Sequence, residues 1–244
     1  MGLIFHDLTK FQDALEIVKT NMAELKDAEE VSLYNATGRI SAETIFSNNN
    51  LPLFSRSQVD GGIVDDDEKS IAIAVKSIIE KCHILIVTGG SSLGRRDMTT
   101  DALSGEGKML FSGVSIKPGR TIALFNIKNR PVFSVSGLPV AAVLSSFMFV
   151  DSYIKNIYGV NYIHRASSIL DESIHNRAGF TTFQIARTYA IDGELHSIPL
   201  NTKVSGNLSA IIKGNSIIKI DENLEGIPQG SRVNIYIIGD IKWD

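Results

Sequence analysis

The sequence predicts an α/β domain followed by an all-β domain, and two observations support this fold class. From Asp65 the amphipathic segment DDDEKSIAIAVKSIIEKC, the β-branched run HILIVT, further strand-like runs and a long apolar segment beginning at Pro139 alternate in pattern. This alternation is typical of three layers, in which helices cover both faces of a largely parallel sheet. Beyond about residue 165, strand-like runs follow one another without helices, which is typical of a small β domain.

The remaining elements follow from local patterns. Apolar residues recur at helical spacing between Phe11 and Leu25, which predicts a first helix. The segment SNNNLPLFSRSQVDGG is rich in Asn, Pro and Gly and predicts a loop. Asp192–Gly193 and Gly214–Asn215 lie between strand-like runs and predict hairpin turns. We expect an N-terminal α+β segment over residues 1–62, the α/β domain over 63–162 and the β domain over 163–244.

Composition excludes several classes of function. The net charge is −3, so no global basic field favours nucleic acid or an anionic membrane surface as a partner. The single cysteine, Cys82, cannot form an internal disulfide, which suits a reducing cytosol. The run PVAAVLSSFMFV is too short to cross a bilayer, and the N-terminus lacks the apolar region of a secretion signal. The five histidines lack metal-ligand spacing. We therefore expect a cytoplasmic protein without a zinc site.

The stretch VTGGSSLGRRDMTT follows the predicted strand HILIVT and has the composition of a ligand-binding junction. Gly89 and Gly90 lie at the carboxyl end of that strand, where open α/β folds bind ligands. Glycines allow close approach of the backbone to a ligand, and the hydroxyls of Thr88, Ser91 and Ser92 add donors. The stretch has neither the GxxxxGK[ST] nor the GxGxxG pattern, which argues against a P-loop or a standard dinucleotide site.

Asp97 is the unexpected member of this stretch, because a carboxylate near a bound anion requires a cation. A divalent metal that bridges Asp97 to a phosphate would satisfy this requirement. The alternative is structural, namely a glycine turn followed by an aspartate that caps a helix. The stretch alone leaves both interpretations open.

Three further segments are candidates for the same site. In IKPGRT, Lys117 and Arg120 flank a Pro-Gly turn and could hold an oxyanion, although their spacing alone favours a solvated basic turn. The segment VSGLPVAAV is another strand-to-helix junction with glycine and proline. In SQVDGG, Asp60 could be a ligand or only a turn former. Several such junctions in one α/β domain suggest a common rim.

Taken together, these motifs resemble the MoeA family of molybdopterin molybdenumtransferases, which includes the C-terminal domain of gephyrin. VSLYNATGRISAETIFSNNNLPLFSRSQVDG is similar to the opening pattern of that family, and IVTGGSSLGRRDMT to its pterin-binding glycine motif, which the MoaB and Mog proteins share. SIKPGRTIALF is similar to its Lys-Pro-Gly-Lys-Pro turn, SGLPVAAVLSSF to Pro-Gly-Asn-Pro-Val-Ser, and VSGNLSAI to its last domain. The motifs occur in family order over nearly the whole chain.

The resemblance implies a function in molybdenum cofactor biosynthesis. Family members insert molybdate or tungstate into adenylylated molybdopterin, using a divalent metal such as Mg²⁺. The implied catalytic residues are Asp97, Asp66, Lys117 and Asp60, of which Asp97 and Asp66 would bind the metal. The implied pterin-binding residues are Thr88, Gly89, Gly90, Ser91, Ser92, Gly94, Thr99, Arg120, Gly137 and Ser205. A small-molecule pterin substrate and a homodimer are implied as partners.

The chain also departs from the family pattern. SQVDGG runs almost directly into IVDDDE, so the inserted second domain and the first strand–helix unit of the pterin domain are missing. Arg120 replaces the second lysine, and Ala141 replaces a serine expected near molybdate. An alanine cannot donate a hydrogen bond, which would weaken that contact by ~1–3 kcal/mol. Two functions remain open: a shortened molybdenumtransferase, or a catalytically degenerate protein that binds molybdopterin or an oligomeric partner. A scaffold without a ligand is a third alternative.

Overall fold

The computed structural model of the protein describes residues 8–20, 62–89, 97–159, 165–200 and 208–243. The helices are α1 (Phe11–Thr20), α2 (Glu68–Ile78), α3 (Met98–Ser104), α4 (Pro139–Ser145), α5 (Asp151–Ile157) and α6 (Leu208–Lys213). The strands of the first half are β1 (Leu85–Thr88), β2 (Lys108–Ser112), β3 (Ile116–Lys117), β4 (Ala123–Ile127) and β5 (Arg130–Val135). Those of the second half are β6 (Arg165–Leu170), β7 (Ile174–His175), β8 (Thr181–Ile191), β9 (Glu194–Pro199), β10 (Ser216–Ile220), β11 (Gly226–Ile227), β12 (Arg232–Ile237) and β13 (Lys242–Trp243).

The first half contains a four-stranded sheet between two helical layers, which confirms the α/β class. Alternate residues of β4 point to opposite faces, so that Ala123 and Phe125 pack with α2 and α3 while Leu124 packs with α1 and the α4–α5 run. All three of these β4 side chains are fully buried. The sheet therefore forms the middle of three layers.

The strand directions differ from the expected largely parallel sheet. The order is β1-β5-β4-β2, and within the described residues only the β1–β5 pair is parallel, whereas β5–β4 and β4–β2 are antiparallel. Lys128 and Asn129 both have positive φ and form a two-residue hairpin between β4 and β5. Such a turn forces the strands it joins to run antiparallel. The sequence lacked the usual Asn-Gly signal for this turn.

The apolar segment from Pro139 to Ile157 is a continuous helical run. The helices α4 and α5 are joined by a π-helical segment, Ser146–Val150. The helical run extends beyond the apolar stretch PVAAVLSSFMFV, and by length and composition alone the whole run could cross a membrane, which the shorter stretch could not. Val140, Leu144 and Phe149 are at most 1% exposed and pack in the main hydrophobic cluster with the sheet. The run is therefore the core helix of the second helical layer, as its composition predicted.

The second half is built around a closed ring of five strands. Each neighbour in the order β10-β12-β6-β9-β8 is paired, and β8 also pairs with β10. The long strand β8 presents Phe183 and Ile185 to α1 and α4, while Ala186 faces the interior of the ring. Because one strand serves both cores, the ring is packed directly onto the α/β layers. The expected C-terminal β architecture is thus present.

One predicted turn in this half is wrong. Asp192 and Gly193 have positive φ and connect β8 to β9, as the sequence indicated. Gly214–Asn215 instead follows a helix, α6, because the apolar residues of SAIIK support a helical as well as a strand pattern. A Cβ at Gly214 would clash with Cγ2 of Ile185. This glycine therefore allows α6 to end against β8 and is not part of a hairpin.

Four buried hydroxyls form a chain inside the ring. Thr188 Oγ1 lies 2.7 Å from Ser197 Oγ and 2.6 Å from Ser216 Oγ, and Ser168 Oγ lies 2.7 Å from Ser197 Oγ. All four side chains are at most 1% exposed. Each hydroxyl satisfies a neighbour that water cannot reach, which is the condition for burying polar groups without a large penalty.

A second polar cluster links β8, β9 and the residue that directly follows β6. The hydroxyl of Tyr189 donates to Oδ2 of Asp171 at 2.6 Å, and Nδ1 of His196 lies 2.8 Å from Oδ1 of the same carboxylate. The hydrogen bond to the Asp171 carboxylate, followed by burial, raises the pKa of Tyr189 above its usual value near 10. The folded protein therefore favours the neutral phenol.

The raised pKa of Tyr189 predicts a loss of stability at alkaline pH. Between the ordinary tyrosine pKa and the raised folded value, the unfolded chain loses a proton that the folded chain retains. The free energy of unfolding must therefore fall as pH increases through this window. Urea denaturation between pH 8 and 11 should show a shallower decline for Tyr189→Phe than for the wild type. Burial also raises the pKa of Tyr153, so the difference between the two proteins isolates Tyr189. Equal slopes would contradict the prediction.

Candidate functional site

The parallel strands β1 and β5 end side by side, which brings two of the predicted junctions together. Thr88 is paired with Val135, and the N–H of Gly89 donates to the carbonyl of Val135 at 3.4 Å. A Cβ added at Gly137 would lie 3.2 Å from Cα of Gly89. Gly89 has φ of +104°, a conformation that favours glycine. The two glycines form a close backbone contact, which we call the glycine cradle.

Side-chain hydroxyls hold the cradle from both sides. Thr88 Oγ1 donates to the carbonyl of Ser136 at 3.3 Å, which links the end of β1 to the start of the second junction. Thr99 Oγ1 donates to the carbonyl of Gly89 at 3.1 Å, which links α3 to the first junction. Thr99 is only 1% exposed. The hydroxyl proton of Thr99 is therefore used in a hydrogen bond inside the protein. Thr88 and Gly137, by contrast, are exposed to solvent.

The basic turn predicted from IKPGRT lies against α4, the helix that follows the cradle. A Cβ at Gly119 would lie 3.2 Å from both the carbonyl oxygen of Ala141 and Cβ of Ser145. Gly119 has φ of +97°, so glycine is required there by conformation as well as by space. Ala141 is the third residue of α4, which begins two residues after Gly137. The turn that carries Lys117 and Arg120 thus packs on the helix that follows the cradle.

The first turns of α2 and α3 form an acidic cleft. Its volume is about 570 Å³, and its lining residues are Asp67, Glu68, Lys69, Met98 and Asp101. Three carboxylates against one lysine disfavour a phosphate in this cleft unless a cation accompanies it. The cationic turn on α4 is the more favourable side for an anion.

Asp97 caps α3, as the structural interpretation predicted. Its Oδ1 accepts from the N–H of Thr100 at 3.0 Å. Asp67 caps α2 in the same way, with its Oδ1 3.0 Å from the N–H of Ser70. Asp66, the second predicted metal ligand, is exposed and immediately precedes this cap. Among the described residues no group of three His, Cys, Asp or Glu side chains could hold a metal ion.

Six of the predicted site residues lie outside the described residues: Asp60, Gly90, Ser91, Ser92, Gly94 and Ser205. Ala141, the substituted position on α4, is 3% exposed and contributes only its backbone to the contact with the turn.

Ser136 belongs to the site and was missed by the sequence analysis. Its carbonyl accepts from Thr88, and its Oγ accepts from the N–H of Leu138 at 3.2 Å. A small polar residue directly before the glycine of VSGLP was the available signal, because serine commonly bonds the backbone two residues on. Two residues earlier, Oγ of Ser134 is buried and has no hydrogen-bond partner within the described part of the chain.

Comparison with known families supports the interpretation of these motifs. Three family models match in order along the chain: the "MoeA N-terminal region (domain I and II)" over residues 9–102, the "Probable molybdopterin binding domain" over 56–155, and the "MoeA C-terminal region (domain IV)" over 167–238. The second match contains the glycine cradle and the basic turn. The third contains four strands of the closed ring in full and begins within the fifth, β6.

Individual relatives agree with these matches. A protein named for molybdopterin biosynthesis in Methanocaldococcus jannaschii is 29% identical over 72% of this chain and 42% of its own length. The molybdopterin molybdenumtransferase of Bacillus subtilis is 27% identical over 73% of this chain and likewise 42% of its own length. This chain thus spans less than half the length of either curated relative.

Solved structures share the fold. A molybdenum cofactor biosynthesis protein from Pyrococcus furiosus superposes with a TM-score of 0.70 at 21% identity, covering 94% of this chain and 99% of that one. A MoeA protein from Pyrococcus horikoshii OT3 superposes with a TM-score of 0.57 at 27% identity, covering 72% of this chain and 40% of that one.

A three-layer α/β domain with a glycine cradle, joined to a closed β ring, defines a protein of the molybdopterin-binding class. The order of the three matched regions indicates one family within this class. The chain is MoeA-like over these three successive regions.

Because the two glycines of the cradle are in close contact, a single methyl group added to one of them should destabilise the protein. Gly137→Ala would place a Cβ 3.2 Å from Cα of Gly89, so one of the two junctions must shift. We expect the free energy of unfolding to fall by about 1–2 kcal/mol, as for other overpacked sites. Gly62→Ala is the matched control, because its Cβ would meet no atom within 4 Å. Urea denaturation measures both variants, and equal stabilities would show that the cradle is not tightly packed.

Proposed function

We propose that this chain acts in molybdenum cofactor biosynthesis by binding molybdopterin at the glycine cradle and presenting Lys117 and Arg120 to an oxyanion. The observation that supports this function best is the position of the basic turn, which Gly119 seats on α4, the helix that begins two residues after Gly137. The exposed backbone of the cradle and this cationic turn together suit a phosphorylated ring compound. Similarity to the MoeA family supplies the substrate class.

The reaction that we propose for this site is insertion of molybdate or tungstate into adenylylated molybdopterin. Lys117 is exposed and would act as a mobile point charge, whereas the planar guanidinium of Arg120 would bind two oxygens of an oxyanion at once. These two cations would bind and orient the oxyanion, while the cradle backbone would hold the pterin side. We propose a cytoplasmic homodimer, in which Asp60 would reach the site of the neighbouring subunit.

Mg²⁺ fits this arrangement with few protein ligands. Mg²⁺ is usually held by one or two carboxylates together with substrate phosphates and water, so it does not require a cluster of three side chains. Asp97 would supply one carboxylate at the start of α3, and Asp66 a second from the start of α2. When bound, the ion would neutralise the repulsion between these carboxylates and a phosphate.

The alternative function, binding of molybdopterin without catalysis, is supported by Ala141 on α4. Ala141 is buried and has no side-chain donor, so the contact that a serine would make with molybdate is absent. In that case the chain would bind molybdopterin without inserting the metal. Wild-type protein that binds adenylylated molybdopterin but releases no metallated product would favour this alternative.

Two substitutions test the proposed roles. Asp97→Asn removes a charge and keeps a good capping residue. It should abolish turnover while metal-free binding of adenylylated molybdopterin stays equal or becomes tighter. Lys117→Ala should weaken binding by about tenfold with or without Mg²⁺, because a charge-assisted contact is lost. Equilibrium titration with and without Mg²⁺, followed by a product assay, measures both effects.

Asp67→Asn is the matched control, since Asp67 makes the same 3.0 Å capping bond at the neighbouring helix. It should turn over as the wild type does. If Asp97→Asn also turns over normally, Asp97 is only a capping residue. Wild-type protein that does not bind the pterin contradicts the proposed function itself.

A further inference from the structure

We propose that Thr99 is a positioning residue that acts on the ligand through the backbone of Gly89. The sequence placed Thr99 among the residues that contact the pterin. The structure instead shows its hydroxyl donating to the carbonyl of Gly89 at 3.1 Å, with the side chain 1% exposed. This inference rests on the proposed function for the identity of the ligand.

Gly89 is held at both of its backbone polar groups. Its N–H donates to Val135 on β5, and its carbonyl accepts from Thr99 on α3. At φ of +104° the residue lies outside the wells that strand geometry stabilises, so its orientation depends on such contacts. Because the peptide unit is planar, a carbonyl held in one direction fixes the orientation of the peptide plane to which it belongs.

The Thr99 bond therefore sets the direction of the Gly89 carbonyl at the end of β1. A glycine has wide conformational freedom and would lose it only when the ligand binds. Fixing the carbonyl beforehand removes part of that entropic cost from the binding step. Asp97 fixes the first turn of the same helix through Thr100, so the anchor that carries Thr99 is itself capped.

The hydrogen-bond partner of Thr99 distinguishes it from an ordinary buried threonine. The side chain is at the second residue of α3, and its partner is ten residues away in the preceding strand–turn junction. Thr88 makes the corresponding bond at the other side of the cradle, to Ser136. Both bonds are made to carbonyls at the glycine cradle and not to carbonyls of their own elements.

The experiment compares Thr99→Val with Thr99→Ser. Valine keeps the shape of the side chain and removes the donor, whereas serine restores the donor. Titration with adenylylated molybdopterin should show binding weakened by about 3- to 10-fold for Thr99→Val and within about twofold of the wild type for Thr99→Ser. The carbonyl carbon chemical shift of Gly89, measured without ligand, should move in Thr99→Val and return in Thr99→Ser.

Thr188→Val is the matched control, because Thr188 is equally buried and its hydroxyl bonds Ser197 and Ser216 inside the ring. It should lower the melting temperature and leave pterin affinity unchanged. Normal binding by Thr99→Val, an unmoved Gly89 shift, or an equal loss of affinity in Thr188→Val would overturn the inference. Failure of the wild type to bind would instead contradict the proposed function, and the Gly89 shift would still decide whether Thr99 fixes that carbonyl.

Discussion

The arrangement of the molecule depends on an aromatic contact that joins its two halves. The ring of Phe11 lies 5.7 Å from that of Phe149 on the core helical run and 5.1 Å from that of Phe183 on β8, both edge to face. The three side chains are at most 5% exposed. Such pairs add about 0.5–1.5 kcal/mol each beyond the area they bury. These aromatic contacts fix the α4–α5 run relative to the β ring. The strand β3, which leads into the basic turn, is paired with β8 of that ring. The position of the turn that carries Lys117 therefore follows from packing that is remote from it.

The sequence was sufficient for the elements whose signals are local. The run HILIVT, the helix from Pro139 and the Asp192–Gly193 turn each carry a pattern within a few residues. Strand direction was not predictable, because the Lys128–Asn129 hairpin lacks glycine and positive φ at both residues is imposed by the paired strands. The helix α6 was missed since Leu208 and Ile212 are exposed while Ala210 is buried, a pattern that does not distinguish a short helix from a strand.

In the candidate site, too, the sequence predicted what depends on local motifs and did not predict what depends on long-range contacts. Glycine, proline and basic residues in short motifs indicated which segments meet at the rim. The partners of individual side chains could not be predicted, because the Thr99 and Thr88 bonds reach across 10 and 48 residues of sequence. Contacts of this kind depend on how β1 and β5 are paired. A residue matched to a ligand-binding motif can consequently serve the site without facing the ligand.

Capping and ligand binding are compatible roles for Asp97. The cap engages Oδ1 with one backbone N–H, and an ionised carboxylate has about four lone-pair positions. A metal bound at the remaining positions would face a carboxylate whose orientation the helix has already fixed, and fixed ligands lose less entropy on binding. Asp67 makes the same capping bond on α2 and lines the acidic cleft together with Glu68 and Asp101. What distinguishes Asp97 is that its helix is tied to Gly89 through the hydroxyl of Thr99.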